Sequence, residues 1–159
     1  MENYEELTAM ASALADGDLW DMSVYANISA LLYGNLPDVS WAGFYIAKSH
    51  VDNNRCDPGQ DTLLLGPFCG KPACVVIPFG KGVCGTAALK KETLVVEDVE
   101  KFPGHIACDP DSRSEIVVPL MKDGRVIGVL DIDSEKKGRF GGADKEGLEK
   151  VCRMLETKI

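Results

Sequence analysis

The chain has 159 residues, of which 45% are hydrophobic and 26% charged, and its formal net charge at pH 7 is -8. This composition is typical of one ordinary soluble domain and excludes a disordered, collagen-like or coiled-coil chain. The negative charge disfavours nucleic acid and anionic membrane surfaces as partners, and the longest apolar runs fall far short of the roughly 20 residues that span a bilayer.

The N-terminal segment, residues 1–6, is acidic and lacks the basic and apolar regions of a secretory signal. We therefore expect a cytoplasmic protein whose six cysteines are made in the reduced state. Thiols in that compartment serve catalysis, metal binding or packing more often than a disulfide framework. The cysteines are thus the main clue to function.

In chain order, the sequence pattern predicts two helices followed by a group of strands. Residues 5–14 have the spacing of a short amphipathic helix. Residues 19–33 predict a longer helix, with Asp18 as its N-cap and Gly34 at its end. Segments rich in strand-forming residues follow at 41–47, 62–65, 74–77 and 93–96.

The rest of the sequence predicts a loop, a hairpin and a final helix. Residues 48–61 are polar and contain Asn, Pro and Gly, which favours an exposed loop. Two apolar runs at 115–121 and 125–131 flank Asp123 and Gly124, a strong signal for an antiparallel hairpin. The apolar stripe of a closing helix is formed by Leu148, Val151, Cys152, Leu155 and Ile159. Helices at both ends and strands between them predict an α+β fold with a central antiparallel sheet, in one domain over residues 1–159.

A glycine-rich motif at residues 80–85 satisfies the G-x-G-x-x-G pattern of dinucleotide-binding proteins, and Glu97 follows at roughly the ribose-binding position. However, residues 86–92 are too few for the crossover of about a dozen residues that parallel strands require. The motif instead predicts a tight turn into a short helix. The free N–H groups around residues 83–86 can hold an anion such as a carboxylate.

The cysteines fall into groups by their surroundings. Cys74, Cys84 and Cys108 lie near Gly or Pro, in or beside loops, which predicts accessible thiols. A zinc site made by these three and His105 is disfavoured because no C-x-x-C knuckle is present and the ligands lie on separate elements. Cys152 lies on the apolar stripe of the last helix and is expected to be a packing residue. The spacing leaves the roles of two others open: Cys56 and Cys69.

Several segments together resemble the free methionine-(R)-sulfoxide reductases, a family of single GAF domains. The segments are residues 41–45, 65–68, 70–74, 82–87, 102–109, 114–117 and 128–134. They cover most of the chain and include G-V-C-G-T-A at 82–87 and G-H-I-A-C-D at 104–109. A GAF domain alone would imply only a small-molecule sensor, so a non-catalytic sensor is the alternative function.

The resemblance implies a role for each of the three cysteines. Cys108 corresponds to the catalytic nucleophile, Cys84 to the resolving thiol that forms a disulfide with it, and Cys74 to an auxiliary resolving or recycling thiol. The chemistry agrees with these residue types, because a thiolate that reduces a sulfoxide becomes a sulfenic acid, which a second thiol condenses to a disulfide. A thioredoxin-type dithiol would reopen that disulfide by exchange, so no metal, flavin or other cofactor is expected.

The resemblance also implies which side chains bind the substrate: Glu115, Asp131, Asp133 and Trp41. Asp131 and Asp133 have the same parity on one strand and Glu115 begins the strand paired with it, so we expect the three acids to share one pocket. One of them can donate the proton that the sulfoxide oxygen needs, and the others can bind the ammonium group of a free amino acid. The family likeness further implies a homodimer.

Overall fold

The computed structural model describes residues 3–159, so the first two residues of the acidic N-terminal segment lie outside the described residues. The helices are α1 (Tyr4–Leu14), α2 (Asp21–Asn35), α3 (Lys48–Val51), α4 (Gly82–Lys90) and α5 (Gly142–Glu156). The strands are β1 (Trp41–Ala47), β2 (Thr62–Cys69), β3 (Val76–Pro78), β4 (Leu94–Val96), β5 (Ser114–Lys122) and β6 (Arg125–Ser134). The protein therefore has the predicted α+β fold.

The six strands form one sheet in the order β3-β2-β1-β6-β5-β4. Every neighbouring pair is antiparallel. The long strands β5 and β6 are joined by the predicted hairpin, where Asp123 and Gly124 have φ angles of 51° and 73°. Positive φ at both central residues is what a type I′ turn requires, and this turn matches the twist of the strands it joins.

The two faces of the sheet are covered differently. On one face, α1, α2 and α5 pack against apolar side chains such as Phe44, Leu130 and Ile132. The opposite face carries Tyr45, Val117 and Val129 and is covered by α4 and by loops. Because side chains alternate along a strand, each strand contributes to both layers. The face under α4 is the one that holds the candidate functional residues.

The closing helix agrees with the apolar stripe seen in the sequence. Leu148, Val151, Cys152 and Leu155 are all buried in α5. Ile159 follows the end of α5 and packs against the same core from outside the helix. The predicted helix over residues 5–14 also agrees with α1, which begins one residue earlier.

The start and end of the second helix were predicted wrongly. α2 begins at Asp21, its N-cap is Trp20 without a side-chain hydrogen bond, and the helix continues through Gly34 to Asn35. The chain turns at Gly17, whose φ is 100°. Two residues separate Asp18 from the first helical residue, so Asp18 does not cap the helix.

The segment 48–61 is more ordered than the predicted exposed loop. It contains α3 and a 3-10 turn at Pro58–Gln60. Asp61 is buried at its end and accepts hydrogen bonds from the Ser49 backbone N–H at 3.1 Å and the Thr62 N–H at 2.9 Å. The carboxylate satisfies backbone donors that would otherwise be buried without partners, which fixes the segment against the sheet.

The glycine-rich motif forms the predicted turn and short helix, not a dinucleotide site. α4 leads to β4, which pairs antiparallel with β5 and not parallel with the preceding strand. Gly82 opens the helix with a φ of 61°. A Cβ at Gly85 would lie 2.3 Å from the carbonyl oxygen of Pro78. Glycine at this position therefore lets α4 lie directly on β3.

None of the helices within residues 3–159 is both long and apolar enough to cross a membrane.

Substituting Gly85→Ala should destabilise the protein, because the added methyl group meets a backbone oxygen that cannot rotate away. We expect a loss of about 1–3 kcal/mol in the free energy of unfolding, measured by urea denaturation. Gly34→Ala is the matched control, since Gly34 also lies in a helix but a Cβ added there would meet nothing within 4 Å. That variant should be as stable as the parent or up to about 1 kcal/mol more stable. Equal stabilities for Gly85→Ala and the parent protein would contradict the close packing of α4 on β3.

Candidate active site

Two acidic side chains and one tryptophan form a row across the sheet, and a third acid lies next to this row. Asp133 of β6 pairs with Glu115 of β5 on one side and with Trp41 of β1 on the other. Asp131 lies two residues earlier on β6 and projects from the same face. The predicted sharing of one pocket by the acids therefore follows from strand register.

A cavity of about 50 Å³ lies above this row. Its floor is the sheet face, one wall is the first turn of α4, and its roof is made of two loops, 70–75 and 102–112. Six of the seven predicted site residues line it: Trp41, Cys84, Cys108, Glu115, Asp131 and Asp133. The seventh, Cys74, follows the lining residue Ala73 in the roof. The fold thus brings the predicted cysteines and acids to one enclosed place.

Burial raises the pKa values of the three carboxyl groups. Loss of solvent raises the pKa of Asp131 to about 6. The pKa of Glu115 is raised well above its ordinary value, first by burial and then by the charges of Asp131 and Asp133. The pKa of Asp133 is raised by loss of solvent and then by the charge of Asp131. The site therefore favours carboxyl groups that hold protons near neutral pH.

Cys84 lies in the wall of the cavity and is almost completely shielded from solvent. Its side chain belongs to the first turn of α4 and is 5% exposed. The Sγ atom lies 3.7 Å from Glu115 Oε1. Burial raises the pKa of this thiol well above its ordinary value, and the neighbouring acids Asp131 and Glu115 raise it further. Cys84 is thus a neutral thiol beside the acids.

Cys108 forms a disulfide with Cys74, and the two Cα atoms are 5.7 Å apart. The expected disulfide between Cys108 and Cys84 is therefore not the one that the structure contains, and Cys84 is free. The physical reason is the position of the elements. Cys74 and Cys108 lie on the two loops of the roof, whereas Cys84 is fixed in the wall of the cavity by the contact of α4 with β3.

The aromatic side chains of β1 hold the first of the two roof loops from below. Trp41 Nε1 donates a hydrogen bond to the carbonyl oxygen of Lys71 at 3.0 Å. The hydroxyl of Tyr45 donates to the carbonyl oxygen of Cys74 at 2.9 Å. Trp41 also stacks on Phe68, with ring centroids 5.2 Å apart. The pocket residue Trp41 therefore also positions the chain around Cys74.

Ion pairs join the two loops on the outer surface. Lys71 Nζ lies 2.9 Å from an oxygen of Asp111, 3.6 Å from one of Asp109 and 3.8 Å from one of Glu135.

Sequence reasoning missed Lys71 and Tyr45 as supporting residues. Tyr45 could have been found from its parity, since residues 41 and 45 of one strand face the same side. The partners of Lys71 have no sequence signal, because they depend on the path of a loop.

His105 also reaches the acids from the roof. Its Nε2 lies 3.9 Å from Glu115 Oε2. Burial lowers the pKa of His105, which favours the neutral imidazole. The histidine therefore closes the cavity beside Glu115 without supplying a fixed positive charge.

The remaining cysteines lie away from this arrangement. Cys56 is exposed in the segment 48–61, Cys69 is half-buried at the end of β2, and Cys152 is buried in the core under α5, as its place on the apolar stripe predicted. A zinc site made by Cys74, Cys84, Cys108 and His105 does not fit this structure, because two of those sulfur atoms are bonded to each other.

Comparison with known proteins agrees with the fold and the site. Residues 24–159 match the GAF domain family. The chain is 48% identical over 158 residues to the free methionine-R-sulfoxide reductase of Escherichia coli strain K12, covering 99% of this chain and 89% of that protein. Two solved structures are also similar across nearly the whole chain.

The first is the reduced form of fRMsr of Staphylococcus aureus, with a TM-score of 0.89 and 46% identity, covering 99% of this chain and 96% of that one. The second is the free methionine-R-sulfoxide reductase of Neisseria meningitidis in complex with its substrate, with a TM-score of 0.86 and 41% identity, covering 98% of this chain and 87% of that one. The fold and site thus define a GAF-domain protein with a thiol and acid pocket. The chain belongs to the free methionine-R-sulfoxide reductase family.

The disulfide arrangement can be tested by mapping. After mild oxidation, a non-reducing digest analysed by mass spectrometry should contain a peptide pair joined through Cys74 and Cys108. The same pair should form in Cys84→Ser, because Cys84 is not part of the bridge. A dominant Cys84–Cys108 peptide in the parent protein would contradict the arrangement.

Proposed function

We propose that this protein reduces free L-methionine-(R)-sulfoxide to methionine as a single GAF domain over residues 1–159. The observation that carries the proposal is the enclosed cavity that Cys108 of the roof shares with three acids of the sheet. A sulfoxide needs both groups, since its oxygen is a poor leaving group until it is protonated. The family's named activity, as in the Escherichia coli relative, is the same reaction.

The reaction begins when the reduced Cys108 thiolate attacks the sulfur atom of the sulfoxide. This attack forms a bond between the two sulfur atoms, and the sulfoxide oxygen receives a proton. The oxygen then passes to the sulfur of Cys108 as the bond between the sulfur atoms breaks, so that methionine leaves and Cys108 becomes a sulfenic acid. The Cys74 thiol then condenses with the sulfenic acid to give the Cys74–Cys108 disulfide and water. We assign the resolving role to Cys74 and not to Cys84, because Cys74 lies on the adjacent loop with its Cα 5.7 Å from that of Cys108.

The acids give the site its substrate preference. Glu115, Asp131 and Asp133 are aligned by the sheet register and face the cavity. A buried carboxylate without a charged partner is costly, and the ammonium group of a free amino acid removes that cost. In a peptide the same nitrogen is an amide without charge, so peptide-bound methionine sulfoxide would leave the carboxylates unpaired. The cavity therefore favours the free amino acid.

The reaction cycle needs a dithiol reductant to reopen the disulfide, and a thioredoxin-type protein provides the required exchange chemistry. The Cys74–Cys108 bridge lies between two roof loops, where such a partner can approach it from outside. We further propose a cytoplasmic homodimer, on the basis of the family likeness.

The proposed activity can be tested with racemic free methionine sulfoxide and a dithiol. We expect methionine to form until about half of the racemate is consumed, because the proposed activity acts on the (R) epimer alone. Separated epimers should give complete conversion of the (R) form and none of the (S) form. Binding without any methionine formation would instead favour the non-catalytic sensor.

The cysteine roles predict different kinetics for two variants. Cys108→Ser should abolish methionine formation, since the nucleophile is lost. Cys74→Ser should still release about one methionine per chain in a single-turnover assay and then stop or slow strongly, because the sulfenic acid lacks its neighbouring thiol. Cys56→Ser is the matched control: this cysteine is exposed and outside the cavity, so turnover should be unchanged. Multiple turnovers by Cys108→Ser at the parent rate would exclude the mechanism.

A further inference from the structure

Three buried side chains beside the cavity present potential metal ligands to one another. The sulfur atom of Cys84 and one carboxylate oxygen each from Glu115 and Asp131 lie within 4.8 Å of one another. All three residues are buried. They come from three separate elements, α4, β5 and β6, that are fixed by the sheet register and by the packing of α4 on β3. The cluster therefore belongs to the rigid floor and wall of the pocket.

One carboxylate oxygen of Asp131 lacks a hydrogen-bond partner within residues 3–159. Asp131 Oδ1 is buried and has no hydrogen-bond partner among the described residues. Buried carboxylate oxygens are normally paired, and an unpaired one costs free energy that a bound cation can recover. The residue is only 6% exposed, so solvent does not meet this requirement through an open surface. The atom thus indicates a ligand and not merely a crowded group of acids.

The spacing of the other two ligand atoms fits a small tetrahedral ion. Cys84 Sγ lies 3.7 Å from Glu115 Oε1. A zinc ion with bonds of about 2.3 Å to sulfur and about 2.1 Å to oxygen holds two such atoms roughly 3.5 Å apart. The two atoms therefore need to move only slightly to share one ion.

We propose that Cys84, Glu115 and Asp131 form a Zn²⁺ site whose fourth position faces the cavity. A thiolate with two carboxylates suits zinc, whereas Mg²⁺ and Ca²⁺ prefer about six or more oxygen ligands. Three protein ligands and one open position are also the usual arrangement where zinc keeps an exchangeable ligand. The site differs from a cysteine-rich zinc site because neither Cys74 nor Cys108 takes part in it.

The consequence for the enzyme rests on the proposed function. Zinc and the substrate ammonium both need Glu115 and Asp131, so the two cations compete for one place. Zinc would therefore inhibit reduction of the sulfoxide competitively, while the catalytic thiol remains chemically intact. A metal-inhibited enzyme should recover fully when a chelator is added.

The site can be tested by titrating Zn²⁺ into the protein with the Cys74–Cys108 disulfide closed, using isothermal titration calorimetry and no substrate. We expect one Zn²⁺ per chain. Cys84→Ser and Glu115→Gln should each weaken binding by at least about tenfold. Two cysteines outside the site provide matched controls: Cys152→Ser removes another buried thiol and Cys56→Ser an exposed one, and both should bind like the parent. Because turnover is not measured, loss of the proposed enzyme activity would not affect this result.

A second measurement starts from the parent protein, so the proposal stays testable if Cys84→Ser or Glu115→Gln folds poorly. Co²⁺ bound in place of Zn²⁺ should give the near-ultraviolet charge-transfer band of a thiolate ligand in the parent protein. The band should be absent from Cys84→Ser and present in Cys74→Ser and Cys108→Ser. The proposal is overturned if the oxidised protein binds no Zn²⁺, or if binding disappears with Cys56 instead of Cys84. A Co²⁺ band that requires Cys74 or Cys108 would overturn it as well.

Discussion

The antiparallel register of β1, β6 and β5 fixes Trp41, Asp133 and Glu115 in one row, and the pocket depends on that row. Acidic side chains placed side by side repel one another, and each also loses hydration. The sheet nevertheless holds them there, because backbone hydrogen bonds set the register and the opposite face of the same strands packs in the main apolar core. A shift of one residue would turn the acids into that core and the core residues outward. The register is therefore tightly constrained.

The roof above the acids is held by contacts of a different kind. Two aromatic side chains of β1 bond to backbone carbonyls of the loop that carries Cys74. Lys71 connects this loop to the loop of Cys108 through exposed ion pairs, which are individually weak. The rigid sheet thus positions one cysteine firmly, while its partner is joined by contacts that can open. In the proposed mechanism, this division suits a thiol that meets a substrate, then a neighbouring thiol, and then an external reductant.

The sequence predicted the elements whose signals are local. The turn at Asp123 and Gly124, the apolar stripe of α5 and the parity of Asp131 and Asp133 each depend on neighbouring residues, and all three agree with the structure. The fold class and the family likeness followed from these segments and from the motifs around the cysteines. The start of α2 was predicted wrongly because the backbone is still extended at Trp20, which residue types alone did not indicate.

The disulfide partner could not be predicted for a physical reason. Cys74, Cys84 and Cys108 lie on three different segments, so their distances depend on how α4 and two loops sit on the sheet. Gly85 allows α4 to touch the carbonyl of Pro78, and this contact keeps Cys84 in the wall of the cavity. Cys74, on the other roof loop, is then the thiol within bonding distance of Cys108. A long-range contact between a helix and a strand therefore helps to decide which thiol pairs with Cys108.

The position of Cys84 also makes the site treat two kinds of cation differently, an ammonium group and a zinc ion. An ammonium group needs only negative charge and hydrogen-bond acceptors, which Glu115 and Asp131 supply. A zinc ion gains in addition from the sulfur atom, which becomes a thiolate when it binds the metal. Beside buried acids the free thiol stays neutral, because its pKa is raised, and it adds no charge to the site when the substrate binds. The same side chain is thus a neutral packing group toward one cation and a ligand toward the other.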